Sequence, residues 1–247
     1  ELFELADEIG AAVASRLSAP RREPTRGAVD RRATELYLRA RRAYHDFWHA
    51  DAARAVGLFT QALALAPNDG VILAGYALAC VRLANFTGQA MDRAREAVQR
   101  ASAIEPDLPE VHLARASLLV QDGDPANAVR SLKRALARSP ALGEANWLLG
   151  RVLVEADVIE AGMKRLEWSL AIEPGLHLAR RDLSRANALL GRFDEFERLA
   201  AADPERDGPG VWLDRARFAV WRGRRESAVA QLDALARTMG GDRPIDP

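Results

Sequence analysis

The chain has 247 residues, 28% of them charged, and its 35 basic and 35 acidic side chains leave a formal net charge of +0. That balance gives no basic excess to favour nucleic acid and no acidic excess to draw a basic partner, so any electrostatic role must come from local patches. The single cysteine, Cys80, excludes an internal disulfide, and no run approaches the roughly 20 apolar residues of a membrane span.

In chain order, residues 1–17 come first. Leu2, Leu5, Ile9, Val13 and Leu17 recur at intervals of three and four, which predicts an amphipathic helix. Five apolar side chains on one face need a cover, so the helix packs on the rest of the chain through Leu2, Leu5, Ile9 and Val13, or it belongs to another domain. Residues 18–34 carry prolines, a glycine and a run of arginines and read as a linker. No signal peptide is recognisable, but a chain opening at Glu1 without methionine reads as a fragment, so an upstream targeting segment stays open. Residues 35–239 predict helical hairpins at 35–67, 70–106, 109–140, 143–174, 177–204 and 209–239, followed by a tail at 240–247.

The hairpins share one register. Four segments end alike, ALALAPND, ASAIEPDL, ALARSPAL and SLAIEPGL, and Pro106, Pro140 and Pro174 are spaced 34 residues apart. With the proline as position 32 of a repeat, position 8 reads Ala43, Ala116, Gly150 and Ala216. Position 20 reads Ala55, Ala94, Ala128, Gly162 and Ala228, and position 24 reads Phe59, Val98, Leu132, Leu166 and Leu232. Small residues where two helices cross, and large ones filling the gap beside them, are what a repeating antiparallel pair requires. In period and in this order the chain resembles the tetratricopeptide repeat family. The resemblance implies an all-α, right-handed solenoid whose concave groove is lined by positions 2, 5, 9, 12 and 13 of each first helix. Gly123, Gly191 and Gly223 suit the left-handed turns between paired helices. Two hairpins look irregular: the second is longer, with the excess assigned to a loop in LANFTGQAMDR, and the fifth has room only for a stunted second helix.

The segment ELYLRARRAYHDFWHADAARAVGLFTQALALAPND, preceded by LFELADEI, is similar to bacterial signalling proteins in which an output module is followed by a TolB-like region and a C-terminal repeat array. That resemblance implies a cytoplasmic location and an attached nucleotide cyclase, winged-helix DNA-binding domain or kinase upstream. No residue of this chain carries such a module's chemistry.

Catalytic and cofactor readings find little. No GxSxG, P-loop or GxGxxG is present, so no enzyme activity and no cofactor is expected. His45 and His49 stand at i and i+4, a spacing that can present two imidazoles to a metal, but the glutamate of HExxH and a third ligand are missing. His112 and His177 read as packing or solvated residues, and Cys80 as a small buried apolar one.

The binding reading names residues. Position 5 reads Leu113, Trp147, Arg181 and Leu213 in the third to sixth repeats. Position 9 reads Ser117, Arg151, Arg185 and Arg217, and position 13 reads Gln121, Glu155, Leu189 and Trp221. Arginine forks and broad tryptophan faces are over-represented at binding hot spots. The expected peptide groove is therefore Trp147, Arg151, Arg181, Arg185, Leu189, Leu213, Arg217 and Trp221, and its expected ligand is a protein or peptide with acidic and apolar residues. Chaperone-binding members of the family have asparagine at position 9, where this chain has arginine, so a chaperone C-terminus is not the expected ligand. Three alternatives stand beside this, the first being that the N-terminal helix covers Trp147 and occludes the groove. Asp182 and Asp214, at position 6, can pair with the arginines and hold neighbouring repeats together, and the exposed helix with Trp168 can serve self-association.

Overall fold

A computed structural model describes residues 30–45, 49–203 and 209–238. The N-terminal segment 1–17 and the tail 240–247 lie outside the described residues. The described residues form twelve helices in six hairpins: α1 (Arg31–His45) with α2 (His49–Leu65), α3 (Gly70–Thr87) with α4 (Met91–Ile104), α5 (Pro109–Gln121) with α6 (Pro125–Arg138), α7 (Gly143–Glu155) with α8 (Ile159–Ile172), α9 (His177–Leu189) with α10 (Phe193–Ala201), and α11 (Pro209–Trp221) with α12 (Arg225–Thr238).

Local chemistry accounts for the boundaries. Asp30 starts α1, its Oδ1 accepting from the backbone N–H groups of Arg32 at 2.8 Å and Ala33 at 3.3 Å, so helix begins four residues inside the stretch read as linker. Asp69 does the same for α3 through Val71 and Ile72. At the other ends, Glu105, Ser139 and Glu173 precede the periodic prolines and leave helical geometry at φ −135°, −137° and −133°. Proline clashes with a helical residue before it, so each second helix stops there. The turns inside the third, fifth and sixth hairpins pass through Gly123, Gly191 and Gly223 at φ between 70° and 74°, and Asp157 holds the same place in the fourth at φ 62°.

The crossings follow the small-residue register. Ala43, Ala55, Ala94, Ala116 and Ala128 are fully buried, with Phe59, Leu132 and Leu166 filling the space beside them. At the crossing of α7 on α8, a Cβ on Gly162 would lie 2.7 Å from the Gly150 carbonyl oxygen and 3.0 Å from the Val154 amide nitrogen. Backbone touches backbone there, so no side chain fits.

In the second hairpin the extra residues lengthen a helix instead of a loop. With no breaker in LANFT, α3 runs for 18 residues until Gly88 turns left-handed at φ 69°. Its mean hydropathy of 1.4 matches a membrane-span composition, yet 67% of it is buried inside the array. The fifth hairpin's second helix is short, nine residues against fourteen in α8 and α12.

Candidate protein-binding groove

The array curls more tightly than its sequence suggests. Arg41 of α1 reaches across to α7 and donates to Glu144 at 2.9 Å, a contact spanning 103 residues. Beside it, His45 Nε2 lies 3.3 Å from Glu144 Oε1, without hydrogen-bond alignment, and 3.9 Å from Glu173. Arg82 of α3 donates to the Tyr44 carbonyl and stacks 3.7 Å from the Tyr44 ring centroid. Burial pushes the Glu144 carboxyl up, but Arg41 and His45 outweigh it and hold the group below the usual carboxylate range. Burial lowers the His45 pKa; Glu144 opposes this, and Arg41, Arg82 and His177 add to it.

This bridge closes the concave face of the first four repeats into a pocket of about 50 Å³, lined by first helices only: Tyr44, Arg82, Leu113, Gln121, Trp147 and Arg151 are among its walls. Two expected site residues fall here. Trp147 is only 8% exposed and its indole N–H donates to Asp182 at 2.7 Å, so it offers no open face to a ligand. Arg151 is half-buried and forms no ion pair among the described residues.

A second, open cleft of about 460 Å³ lies between α7, α9 and α11. Its walls include Val154, Glu155, Arg185, Leu189, Arg217 and Trp221, four of them among the expected groove residues. Trp221 is 61% exposed, resting edge-to-face on Phe218 at 5.2 Å. Arg185 is held by Glu155 at 2.6 Å and lies 3.9 Å from Asp182, while its buried Nε finds no acceptor among the described residues. Burial raises the Glu155 pKa, but the Arg185 bond and charge more than reverse it. Arg217 lies 3.7 Å from Asp214, and Arg181 lies 3.2 Å from the same carboxylate. Burial outweighs both arginines and raises the Asp214 pKa.

The expected continuous groove is thus divided. Arg185, Leu189, Arg217 and Trp221 share the open cleft, Trp147 and Arg151 belong to the closed pocket, and Arg181 packs over α10 beside Asp214 and Phe196. Leu213 is exposed on α11 and lines neither. Three of the four expected arginines have a carboxylate within 4 Å: Arg181 with Asp214 and Arg185 with Glu155 join neighbouring repeats, as in the inter-repeat alternative, whereas Arg217 and Asp214 lie within α11. The pocket closed by Glu144 and Arg82 was missed because its walls come from helices far apart in sequence. Arg82, the one charged residue of the apolar helix α3, was the available signal. The side chain of His49 lies outside the described residues.

The periodic crossings, the proline stops and the concave faces walled mainly by first helices decide the architecture. This is a tetratricopeptide-repeat fold. No protein-family model matches the chain, and no curated protein matches its sequence. Among solved structures, the type IV pilus biogenesis factor PilW superimposes with a TM-score of 0.58 at 19% identity, covering 85% of this chain and 95% of that one. A tetratricopeptide repeat protein from Parabacteroides merdae gives 0.54 at 16%, covering 87% and 82%. The Cut9–Hcn1 hetero-tetramer of the APC/C gives 0.62 at 14%, covering 85% of this chain and 44% of that chain. At these identities the likeness is one of fold.

Proposed function

We propose that this chain is a protein-interaction scaffold that holds an extended segment of a partner in the cleft between α7, α9 and α11. The observation behind this is the pairing of an exposed Trp221 with the buried, unsatisfied Nε of Arg185 in one cleft. A large aromatic left in water costs solubility unless something covers it, and a buried donor without an acceptor costs about 1–3 kcal/mol until a ligand supplies one. A partner segment fits with an apolar side chain against Trp221 and Leu189, a carbonyl or carboxylate for Arg185, and an acidic residue for the loosely paired Arg217. The Cut9–Hcn1 assembly shows a similar fold within a protein complex.

The reading includes a regulatory or scaffolding role in a bacterial cytoplasmic signalling protein, on the likeness of residues 35–69 to the TolB-associated arrays. Self-association is the second reading, favoured by Trp168, 53% exposed on α8. Selection from a displayed peptide library tests the cleft. Peptides with acidic and apolar residues should be enriched, lose binding to Trp221→Ala and keep it to Trp168→Ala. Equal binding to wild type and Trp221→Ala would reject the cleft, and light scattering that shows a dimer broken by Trp168→Ala would favour the second reading.

A further inference from the structure

In this solenoid, position 5 of one repeat reaches position 6 of the next. Trp147 donates to Asp182, and Arg181 pairs with Asp214, each pair one repeat apart. Position 5 is accordingly buried through the first four repeats, at 0% for Ala40 and Ala74, 2% for Leu113 and 8% for Trp147. Position 12 is buried at Val81 (3%), Val154 (4%) and Ala188 (2%) and half-buried at Val120. On the second helices, position 21 is buried at Val56 and Met163, half-buried at Val129, and exposed where it is charged, at Arg95 and Glu197.

The sixth hairpin keeps the apolar residues but, among the described residues, lacks the cover. Leu213, Val220 and Val229 occupy positions 5, 12 and 21, and they are 48%, 56% and 57% exposed. Leu213 and Val220 are seven residues apart on α11 and share one face. Apolar residues at the positions by which one repeat packs on the next need a cover, and among the described residues none covers these. The shape left open is the seat of one more helix.

Charge selects the occupant. Residues 209–238 carry six arginines (Arg215, Arg217, Arg222, Arg224, Arg225, Arg237) against three carboxylates (Asp214, Glu226, Asp233), so the hairpin is +3 in a chain of net charge +0. Residues 1–17 carry Glu1, Glu4, Asp7 and Glu8 against Arg16, a side-chain charge of −3, together with an apolar stripe that itself needs cover. The first helix of another copy would bring a mostly basic face instead, with Arg31, Arg32, Arg39 and Arg42 exposed. Reach is sufficient as well. The curl that puts Arg41 on Glu144 leaves α1 about three interhelix steps, roughly 30 Å, from α11. Residues 18–29 span up to roughly 40 Å when extended.

We propose that residues 1–17 dock as an acidic amphipathic helix on the open face of the sixth hairpin of the same chain, with Leu2, Leu5, Ile9 and Val13 covering Leu213, Val220 and Val229. The contact joins the two ends of the array, and it is independent of what the cleft binds. Hydrogen exchange on the full-length chain tests it, comparing wild type with Leu5→Glu, Ile9→Glu. Amides of α11 and α12 should exchange at least tenfold faster in the double variant, while those of α5 to α8 stay unchanged. High salt should speed exchange in α11 and α12 of the wild type, because the attraction is partly between exposed charges. The full-length Val220→Glu variant, altered on the other side, should reproduce the pattern. Unchanged exchange in α11 and α12, or faster exchange in α1 and α2 instead, would overturn the proposal. So would protection of α11 and α12 that rises with protein concentration, which would assign the helix to a second copy.

Discussion

Gly162→Ala adds one methyl group at the place where α7 and α8 touch. The new Cβ would lie 2.6 Å from Val154 Cγ2, 2.7 Å from the Gly150 carbonyl oxygen and 3.0 Å from the Val154 amide nitrogen. The methyl of Val154 could rotate away, but two of the three obstacles are backbone, and backbone moves only if the helices part. Overpacking of a tight core costs about 1–3 kcal/mol, and contact with rigid backbone puts this site at the upper end. Alanine's better helix propensity returns up to about 1 kcal/mol. The expected net loss is about 2 kcal/mol, or roughly 4–8 °C in Tm for a chain of this size. Gly57→Ala is the internal control, because Gly57 is in α2 with nothing within 4 Å of its virtual Cβ. There only propensity acts, and Tm should rise by roughly 2–4 °C. Thermal unfolding by circular dichroism reads both. Shifts of the same sign in the two variants would refute the assignment of Gly162 to a backbone crossing.

Asp157 holds a left-handed turn that glycine occupies in the third, fifth and sixth hairpins, so Asp157→Gly should gain up to about 1 kcal/mol and raise Tm. Glu144→Ala leaves Arg41 without its carboxylate; since the Arg41 side chain is 24% exposed, denaturant titration should show a loss of at most about 3 kcal/mol. The same variant should open the concave pocket and speed hydrogen exchange in α1. For pH, His45 titrates below its usual 6.5 in the folded chain, so its contribution to stability is complete above pH 6.5 and is lost as pH falls through the lower folded value. Glu144, also lowered, adds a second loss further into acid. His45→Gln should flatten the fall in stability just below pH 6.5 and leave the lower-pH portion in place.

The repeat architecture was legible because its causes are local and periodic. Proline stops a helix wherever it falls, and the pairs Ala43 with Ala55 and Gly150 with Gly162 declare a crossing by size alone. The second hairpin was misjudged for an equally local reason: Phe86 and Thr87 permit helix, so the added residues extend α3 to the break at Gly88. The site was legible only in part. Position 13 placed Leu189 and Trp221 on the open cleft, and position 6 flagged Asp182 and Asp214 as partners for the arginines. What could not be read was how far each repeat rotates on the last. That accumulated rotation sets Glu144 against Arg41 and His45, closes the pocket beside Trp147, and moves the accessible cleft to the last three repeats.

Site-specific photo-crosslinking would examine the scaffold reading itself. A photoreactive residue in place of Leu189, on the wall of the cleft, should capture one or a few partner proteins in cells expressing the full-length chain. The same residue in place of Trp168 on α8 should not capture them, and adding Trp221→Ala to the Leu189 probe should abolish the adducts. Adducts that survive Trp221→Ala, or that form at position 168 and not at position 189, would contradict binding in this cleft.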